Sequence, residues 1–436
     1  MKKKIAITTL GCKVNQYESA SFVSGFQGKD VEMVPFSHKA DVYIVNTCAV
    51  TARAAAQSRQ MVRRALRTNP DARLIVTGCY AQIAPLEILD SSGLSTCIVG
   101  NGNKHRLVDI AMSEEHCDLE MHMGDIGEKK EICPLPVLRF PGRTRAFLRL
   151  QDGCNNFCSY CIVPYARGRS RSLPVDDVMA QLQDFVEEGY KEIVLTGIHV
   201  GMYGKDLSPQ VSLLEIFARL LEKAPTIRFR LSSLEPGEIS EELLRLISRY
   251  DNFMPHLHIP LQSGDPGILQ KMNRRYPPSH FVETIAKIAD YIPDAAIGVD
   301  TLVGFPGEDE KAFGNTFRLL KDLPVTYLHV FPYSKRPGTV AAGMTNHISG
   351  RLKDDRVARL RALDVEKRMS FYNRYIGEVR PVLAESRKNN VKLMRGFTDN
   401  YIPVYFQAPD RMANQVVDVL ISSISDGKVL GELIEI

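Results

Sequence analysis

Short apolar, β-branched runs alternate with helix-period stretches over the first part of the chain. The apolar runs predict strands at 5–10, 42–45, 73–76 and 97–99. The stretches between them predict helices, among them 16–27 and 51–67. Strands that alternate with helices are typical of an open, mostly parallel sheet covered by helices. We therefore predict an N-terminal α/β domain with a parallel sheet over residues 1–113.

The alternation stops and then resumes further along the chain. Residues 114–142 gather charged residues, Met, Pro and Gly, which predicts a linker. Beyond it, further strands are predicted at 146–150, 192–196, 227–231, 256–260, 296–303 and 326–331. These six strand–helix units, followed by a long charged helix at 350–375, predict a partial (β/α)6 barrel over residues 143–370. In such barrels the chemistry collects at the carboxyl ends of the strands.

The tail of the chain, residues 371–436, has a shorter period than the rest. Five strand-like segments are predicted at 379–385, 392–397, 402–406, 415–421 and 429–434. Turn signals such as Asn389-Asn390 and Asp426-Gly427 separate them. Five short strands in so few residues predict a small closed β-barrel of the oligonucleotide-binding type.

Composition excludes several classes of protein. A content of 44% hydrophobic and 24% charged residues excludes disordered and collagen-like chains. No uncharged apolar run approaches the roughly 18 residues that a membrane span needs. The lysine-rich start is followed by too short an apolar run for a signal peptide, so we expect a cytoplasmic protein with no membrane partner. A net charge of +4 is too small to identify a nucleic-acid binder by itself.

The cysteines carry the strongest local signal. Their number, nine, is odd, and a large protein that is expected in the cytoplasm rarely contains a disulfide framework. Cys154, Cys158 and Cys161 form a C-x3-C-x2-C loop directly after the first predicted barrel strand. Structural zinc usually has four ligands, whereas three thiolates leave one iron of a four-iron cluster open to another ligand. We favour an iron–sulfur cluster, with zinc and plain structural thiols as the alternatives.

A second group of cysteines is separated in sequence. Cys12, Cys48 and Cys79 each follow a predicted strand, at or near the start of a helix. The carboxyl ends of parallel strands lie along one edge of a sheet, so the three thiols could converge there. Helix amino ends would favour an anionic cluster. Spacing alone leaves open the alternative of three separately buried cysteines.

The motifs resemble known families. The C-x3-C-x2-C loop after a barrel strand resembles the radical S-adenosylmethionine (SAM) superfamily, in which the open iron binds SAM. The segments around Cys12, Cys48 and Cys79 resemble the three cysteine motifs of the methylthiotransferases, and the likeness extends over the whole chain, with a C-terminal segment similar to the TRAM domain. It continues through 153–161, 167–172, 260–264 and 304–308.

This resemblance implies a set of cofactors and a reaction. The cofactors are SAM and two [4Fe-4S] clusters, the auxiliary one on Cys12, Cys48 and Cys79. Cys97, Cys117 and Cys133 match no ligand of the family. Within the family, 12–16 and 196–204 are most similar to enzymes that place a methylthio group at C2 of N6-threonylcarbamoyladenosine beside the tRNA anticodon. Implied partners are the tRNA anticodon stem-loop, an electron donor such as flavodoxin or ferredoxin, and a sulfur donor.

Three alternatives to this function stay open. Within the family, the substrate could be isopentenyladenosine in tRNA or an aspartate of a ribosomal protein. In another class, the chain could be a non-catalytic iron–sulfur protein that binds RNA.

Polar residues after the barrel strands are candidates for contacts with SAM. Thr196 and Gly197 follow the second strand, and the resemblance implies that this loop contacts the amino group of SAM. Residues after later strands could bind ribose hydroxyls or adenine: Arg230, Ser232, Glu235, Gln262, Gly304 and Glu308. A role in turn formation is the alternative, above all for Gly304.

Local charge suggests where RNA could bind. Residues 53–73 contain six arginines and one acid. Three of them, Arg59, Arg63 and Arg67, would stack at i, i+4 spacing on one helix face. We predict phosphate contacts by these three and by four further residues: Arg167, Arg169, Lys335 and Arg336. A merely solvated basic face is the alternative.

Overall fold

The computed structural model describes residues 2–92, 96–114, 119–387 and 392–434. The first sheet has six parallel strands in the order β2-β1-β3-β4-β5-β6. They are β1 Lys3–Thr9, β2 Val31–Met33, β3 Val42–Thr47, β4 Arg73–Gly78, β5 Thr96–Val99 and β6 Leu119–His122. The helices of this part are α1 Lys13–Gly25, α2 Ala52–Thr68, α3 Cys79–Ile83, α4 Pro85–Ser92 and α5 Leu107–Met112.

The predicted parallel sheet is confirmed, and it has two more strands than expected. Every residue of β3 and β4 is buried, as in a sheet whose two faces are both covered. The additional strands β2 and β6 lie at the two edges and are short and partly exposed, so they carry little apolar signal. Strand β6 lies inside the segment predicted as a linker. It pairs with β5, so this part of the segment belongs to the first sheet.

The second part contains the six predicted parallel strands, arranged as two sheets of three. One sheet has the order β11-β10-β7 and the other β12-β13-β14, with a short antiparallel pair, β8 and β9, between β7 and β10 in sequence. The strands are β7 Ala146–Arg149, β8 Gln151–Asp152, β9 Arg171–Ser172, β10 Glu192–Thr196, β11 Arg228–Leu231, β12 His256–Gln262, β13 Ala296–Val303 and β14 Tyr327–Pro332. A parallel bridge between Phe229 and Phe253 lies beside the junction of the two sheets. Together they confirm the partial barrel.

Helices cover the outside of these strands. They are α6 Val163–Arg167, α7 Val175–Glu187, α8 Leu213–Lys223, α9 Glu241–Arg249, α10 Pro266–Lys271, α11 Pro278–Tyr291, α12 Glu310–Asp322 and α13 Gly350–Asn373. Side-chain oxygens of Ser212, Ser240, Asp309 and Ser349 accept a hydrogen bond from a first-turn backbone N–H of α8, α9, α12 and α13. These caps define where the helices begin, since the first N–H groups have no partner inside the helix.

The C-terminal part is a closed five-stranded barrel, as predicted. Its order is β15-β16-β17-β19-β18. The strands are β15 Val379–Ala384, β16 Met394–Thr398, β17 Pro403–Phe406, β18 Val416–Ser425 and β19 Lys428–Leu433. The Asn389-Asn390 turn lies outside the described residues.

This small barrel docks at the amino ends of the large barrel's strands. Arg145, just before β7, pairs with Glu385 at 2.9 Å, and Asp294, just before β13, pairs with Arg380 in β15 at 3.2 Å. The ring of Tyr401 lies 4.4 Å from that of His256, measured between centroids. The C-terminal barrel therefore packs against the end opposite to the strand ends where barrel chemistry is expected. None of the helices in the described parts of the chain is long and apolar enough to cross a membrane.

Candidate functional site

The structure brings Cys12, Cys48 and Cys79 together at one edge of the first sheet. Their strands β1, β3 and β4 are neighbours, and each cysteine follows the carboxyl end of its strand. Gly11 permits the approach: its φ is +99°, and a Cβ there would lie 2.9 Å from the Cys48 Sγ. Gly78 has φ +96°, and a Cβ would come within 2.4 Å of the Thr47 carbonyl oxygen. Since only glycine fits at both positions, the two loops can close around the thiols.

The environment of this group suits a metal-bound thiolate. Burial raises the pKa of Cys48 to about 11, and burial also raises the pKa of Cys79. A buried thiolate is costly unless a metal compensates its charge. Cys12 occupies the N-cap position of α1 without capping it through a side-chain hydrogen bond. The free N–H groups of that helix end favour an anion beside Cys12.

Cys154, Cys158 and Cys161 lie in a tight loop between β8 and α6. The Cys154 backbone N–H donates to the carbonyl of Gly168 at 3.1 Å, and that of Cys161 to the carbonyl of Cys158 at 2.9 Å. Gly153, just before the loop, has φ +77°, and a Cβ would lie 1.9 Å from the Arg169 carbonyl oxygen. No side chain fits there, so this glycine allows the loop to fold back on the strand pair.

The side chains of Arg274 and His199 lie beside this second group. Arg274 Nη1 lies 3.6 Å from the Cys158 Sγ, and His199 Nδ1 lies 3.7 Å from the Cys154 Sγ. Burial raises the pKa of Cys161 to about 12. The three thiols are partly buried and free of disulfides, and a bound metal would stabilise their deprotonated form.

Both groups fit a four-iron cluster better than they fit zinc. Each offers three free thiols, and the two remaining cysteines in the described part of the chain have other surroundings. Cys97 is 1% exposed in the core, and the Cys133 Sγ lies 3.3 Å from His105 Nδ1. Three thiolates without a fourth cysteine match a [4Fe-4S] cluster with one open iron. Cys117 lies outside the described residues.

A buried ionic network connects the two groups. Arg167 Nη1 lies 3.0 Å from Glu18 Oε1 in α1 and 2.9 Å from Asp152 Oδ1 in β8, two residues before Cys154. Its Nη2 donates to Asn15 Oδ1 at 2.5 Å. Lys104 pairs with the other oxygen of Glu18 at 2.5 Å. Although burial opposes them, Arg167 and Lys104 hold the pKa of Glu18 below its ordinary value.

The prediction that Arg167 contacts RNA is therefore wrong. Its side chain is 1% exposed and is held by two carboxylates, so it cannot reach an external phosphate. Arg167 is the last residue of α6, whereas Arg169 lies beyond the helix and is exposed. The partners that bury Arg167 lie in α1 and β8, which the local run of arginines does not indicate.

The other residues predicted to bind RNA fall into two sets. Arg63, Arg67, Arg169 and Lys335 are exposed. Arg59 is partly buried and donates to Tyr80 Oη and Glu87. Arg336 is 6% exposed. Burial lowers its pKa, while the nearby Tyr80 and Cys48 act in the opposite direction. It lies near the first cysteine group, with little surface open to a phosphate, so its predicted surface role is not supported.

Gln151 is a positioning residue that the sequence analysis missed. Its Nε2 donates to the carbonyls of Asp152 and Gly153, at 2.9 and 2.7 Å, just before the cysteine loop. Its Oε1 accepts from the backbone N–H groups of Ile198 and His199 after β10. It is fully buried. One amide thus holds the cysteine loop against the loop that begins at Thr196 and Gly197.

Several predicted cofactor residues line or border the space beside the second cysteine group. Glu235 lines a cavity of about 220 Å³ together with Cys158 and His199. Its carboxylate pairs with Arg274. The hydroxyl of Ser232 is buried and has no hydrogen-bond partner within the described ranges. Gln262, at the end of β12, has φ +65°.

Two other cofactor predictions need correction. Arg230 is 2% exposed and donates through Nε to Glu192 and through both terminal nitrogens to the C-terminal barrel, so its side chain is held inside the fold. Glu308 is 1% exposed, accepts from the Gly304 N–H at 2.6 Å and pairs with Arg356 in α13 at 2.8 Å. Glu308 therefore shapes the loop after β13 from inside the fold.

The chain is similar to proteins of known activity. Residues 148–320 match the radical SAM superfamily model, and residues 4–100 match an uncharacterized protein family, UPF0004. The threonylcarbamoyladenosine tRNA methylthiotransferase MtaB of Bacillus subtilis is 39% identical over 96% of this chain and 93% of its own length. The protein of the same name from Aquifex aeolicus is 37% identical over 92% and 96%. The tRNA-2-methylthio-N(6)-dimethylallyladenosine synthase of B. subtilis is 32% identical over 100% and 87%.

Solved structures agree on the fold. The radical SAM methyltransferase TsrM of Kitasatospora setae, solved with cobalamin and a [4Fe-4S] cluster, has a TM-score of 0.56 at 15% identity, over 78% of this chain and 77% of TsrM. At that identity the likeness concerns the fold alone. The identity to the curated relatives, over most of both chains, carries the family assignment. The chain belongs to the methylthiotransferase family of radical SAM enzymes, which use SAM and iron–sulfur chemistry.

Proposed function

We propose that this protein inserts a methylthio group at C2 of N6-threonylcarbamoyladenosine next to the tRNA anticodon, using two [4Fe-4S] clusters. The observation that carries the proposal is the pair of three-cysteine groups connected through Arg167. The substrate assignment rests on the relatives, since the B. subtilis enzyme named for threonylcarbamoyladenosine is 39% identical and that named for dimethylallyladenosine is 32% identical.

Each cysteine group would hold one cluster. Cys154, Cys158 and Cys161 would hold the one that binds SAM, and Cys12, Cys48 and Cys79 the auxiliary one. When bound, the first cluster and SAM supply the radical chemistry that removes a hydrogen atom from an unreactive carbon.

The chain's own residues prepare this site. Gln151 fixes the cysteine loop against the loop after β10. Glu18, Arg167 and Asp152 hold the two cysteine groups at a fixed spacing. Cys79 is buried, which limits the access of water to the first cysteine group.

The proposal also assigns domains and partners. Residues 1–113 carry the auxiliary cluster, 114–142 form a connection, 143–370 are the radical SAM core and 371–436 form a TRAM-like barrel that contacts RNA. The partners are the tRNA anticodon stem-loop, an electron donor such as flavodoxin or ferredoxin, and a sulfur donor. With tRNA as its substrate, the protein is expected to act in the cytoplasm.

Nucleoside mass spectrometry tests this function. We expect tRNA from cells with the gene to contain 2-methylthio-N6-threonylcarbamoyladenosine, and tRNA from cells without it to keep the unthiolated nucleoside. In vitro, the purified protein should act on tRNA that carries the threonylcarbamoyl group and not on tRNA that lacks it. Loss of methylthiolated isopentenyladenosine, or of a methylthio group on a ribosomal protein, would instead support the alternative substrates.

The exposed arginines of α2 give a separate prediction. Arg63 and Arg67 lie one helical turn apart and face solvent. Changing both to glutamate should weaken RNA binding at low salt and lower the slope of log K against log salt by about two, since each phosphate contact contributes about one. Fluorescence anisotropy with an anticodon stem-loop measures this slope. The control is the pair Arg219→Glu and Arg245→Glu on α8 and α9; equal slopes for both double variants would reject the α2 surface.

A further inference from the structure

One segment of the large barrel reaches from the first cysteine group to the second. It begins at Ser334, shortly after β14, at the carboxyl ends of the barrel strands. There the Ser334 hydroxyl accepts a hydrogen bond at 2.9 Å from the backbone N–H of Ala52, which lies in α2 shortly after Cys48. Further along, the Ala341 N–H donates at 2.8 Å to the carbonyl of Ser159, inside the loop of the second group. This connecting segment therefore borders the space between the two groups.

Arg336 is a buried cation in the connecting segment. It is 6% exposed, and its Nε is buried without a hydrogen-bond partner within the described ranges. No carboxylate in the described part of the chain forms an ion pair with it; Glu87, which acts on its charge, pairs with Arg59 at 3.3 Å instead. Burial of a charge is costly when no partner replaces the lost water. The side chain of Arg336 thus lacks the anion that would offset its burial.

The charge of Arg336 lies beside the first cysteine group. Burial lowers its pKa, and Tyr80 and the Cys48 thiol act against that change. Tyr80 directly follows Cys79, so both of these residues belong to or adjoin the first group. A guanidinium keeps its charge in a protein, because its ordinary pKa is above 12. Arg336 is therefore a lasting positive charge next to this group, on a segment that continues to the second one.

The sulfur chemistry of the proposed function supplies an anion for this position. A four-iron cluster on three thiolates has one open iron, and sulfur anions are suitable ligands for iron. A sulfur anion makes the cluster site more negative, which is costly in a buried position unless a cation compensates it. Arg167, another cation that acts on this group, is already paired with Glu18 and Asp152. Arg336 has no such pair.

We propose that Arg336 binds the sulfur anion that is held at the first cysteine group for transfer, a hydrosulfide or a methanethiolate. This inference rests on the proposed function and assigns a residue to the retention of the transferred sulfur. Arg336 is a positioning residue whose N–H groups donate to the sulfur. Hydrogen bonds with an ionised partner are about twice as strong as neutral ones, so this contact favours the anionic form of the ligand.

A neutral ligand of the same iron gains nothing from this charge. Imidazole binds iron through a neutral nitrogen and offers no anionic acceptor to a guanidinium. The effect of Arg336 should therefore depend on the charge of the ligand. A residue that only supports the shape of the site would change the binding of both kinds of ligand alike.

Ligand binding to the full-length, cluster-loaded protein tests this proposal. A SAM analogue that cannot be cleaved occupies the second cluster, and hydrosulfide or imidazole is titrated into the reduced protein while electron paramagnetic resonance records the auxiliary cluster. We expect Arg336→Gln to weaken hydrosulfide binding by about tenfold or more, as for a hydrogen bond to a charged group, and to change imidazole binding by no more than about twofold. The midpoint potential of the auxiliary cluster should also fall, because a nearby positive charge favours reduction.

The matched control is Arg318→Gln, which removes an exposed arginine on α12 and should leave the binding of both ligands unchanged. Arg336→Lys keeps the charge and should bind hydrosulfide within about threefold of the unchanged protein, since a single sulfur atom does not require the planar fork of arginine. This variant decides the test if Arg336→Gln holds less iron.

Three results would overturn the sulfur-binding role of Arg336. They are an unchanged hydrosulfide affinity in Arg336→Gln, an equal loss of affinity for hydrosulfide and imidazole, and a loss of about tenfold in Arg336→Lys with its iron retained. The proposed function fails separately, if cellular tRNA contains no methylthiolated threonylcarbamoyladenosine that depends on the gene.

Discussion

Changing Cys158 to alanine should abolish formation of 5′-deoxyadenosine from SAM, with a loss of about 10³-fold or more. The three thiols of this loop act as a unit, so the removal of one costs nearly as much as the removal of all. Cys48→Ala should retain part of the SAM cleavage but form no methylthiolated product, because Cys48 belongs to the other group. Both activities are measured on reduced, anaerobically reconstituted protein by liquid chromatography and mass spectrometry.

Cys133→Ala is the matched control for these variants. Cys133 is a free, partly exposed thiol outside both groups, and its replacement should leave both activities near those of the unchanged protein. Equal loss of cleavage and thiolation in Cys48→Ala and Cys158→Ala, with folding intact, would contradict the division of labour between the two groups.

The second large effect is expected at Arg167. Arg167→Ala leaves Glu18 and Asp152 as buried carboxylates with fewer partners, and the loss of one partner from a buried ionic network destabilises a protein by about 3–5 kcal/mol. The variant should therefore show a clearly lower Tm. Since this network connects the two cysteine groups, the variant should also lose iron from them during reconstitution.

Arg169 provides the control two residues away. It is exposed, and Arg169→Ala should change stability by no more than about 0.5 kcal/mol. Arg167→Lys should fall between the two, because lysine restores the charge without the planar fork that reaches Glu18, Asp152 and Asn15 together. Equal Tm values for Arg167→Ala and Arg169→Ala would show that the network does not support the fold.

Much of the fold could be predicted from the sequence because its signals are local. Strand–helix alternation predicts the parallel strands of the first domain and of the partial barrel, and the strand ends indicate that Cys12, Cys48 and Cys79 meet. The edge strands β2 and β6 are not predicted from the sequence because they are short and bury little apolar surface. Their pairing depends on neighbours distant in the chain.

The misassigned residues show where local reasoning ends. The sequence predicts a cofactor contact for Arg230, but two of its N–H groups donate to Thr398 and Asp399 in a distant part of the chain. The basic neighbourhood of Arg167 predicts a surface position, whereas its partners Glu18 and Asp152 come from two different parts of the chain. Which charged side chain is buried depends on how the domains pack together, and the local sequence does not specify that packing.

Mössbauer spectroscopy of the anaerobically reconstituted protein tests the central claim most directly. We expect two [4Fe-4S] clusters, about eight irons per chain. The triple variant Cys12→Ser, Cys48→Ser and Cys79→Ser should keep one cluster, and the triple variant Cys154→Ser, Cys158→Ser and Cys161→Ser should keep the other. A single cluster in the unchanged protein, or two clusters that persist when all six cysteines are serine, would contradict the account.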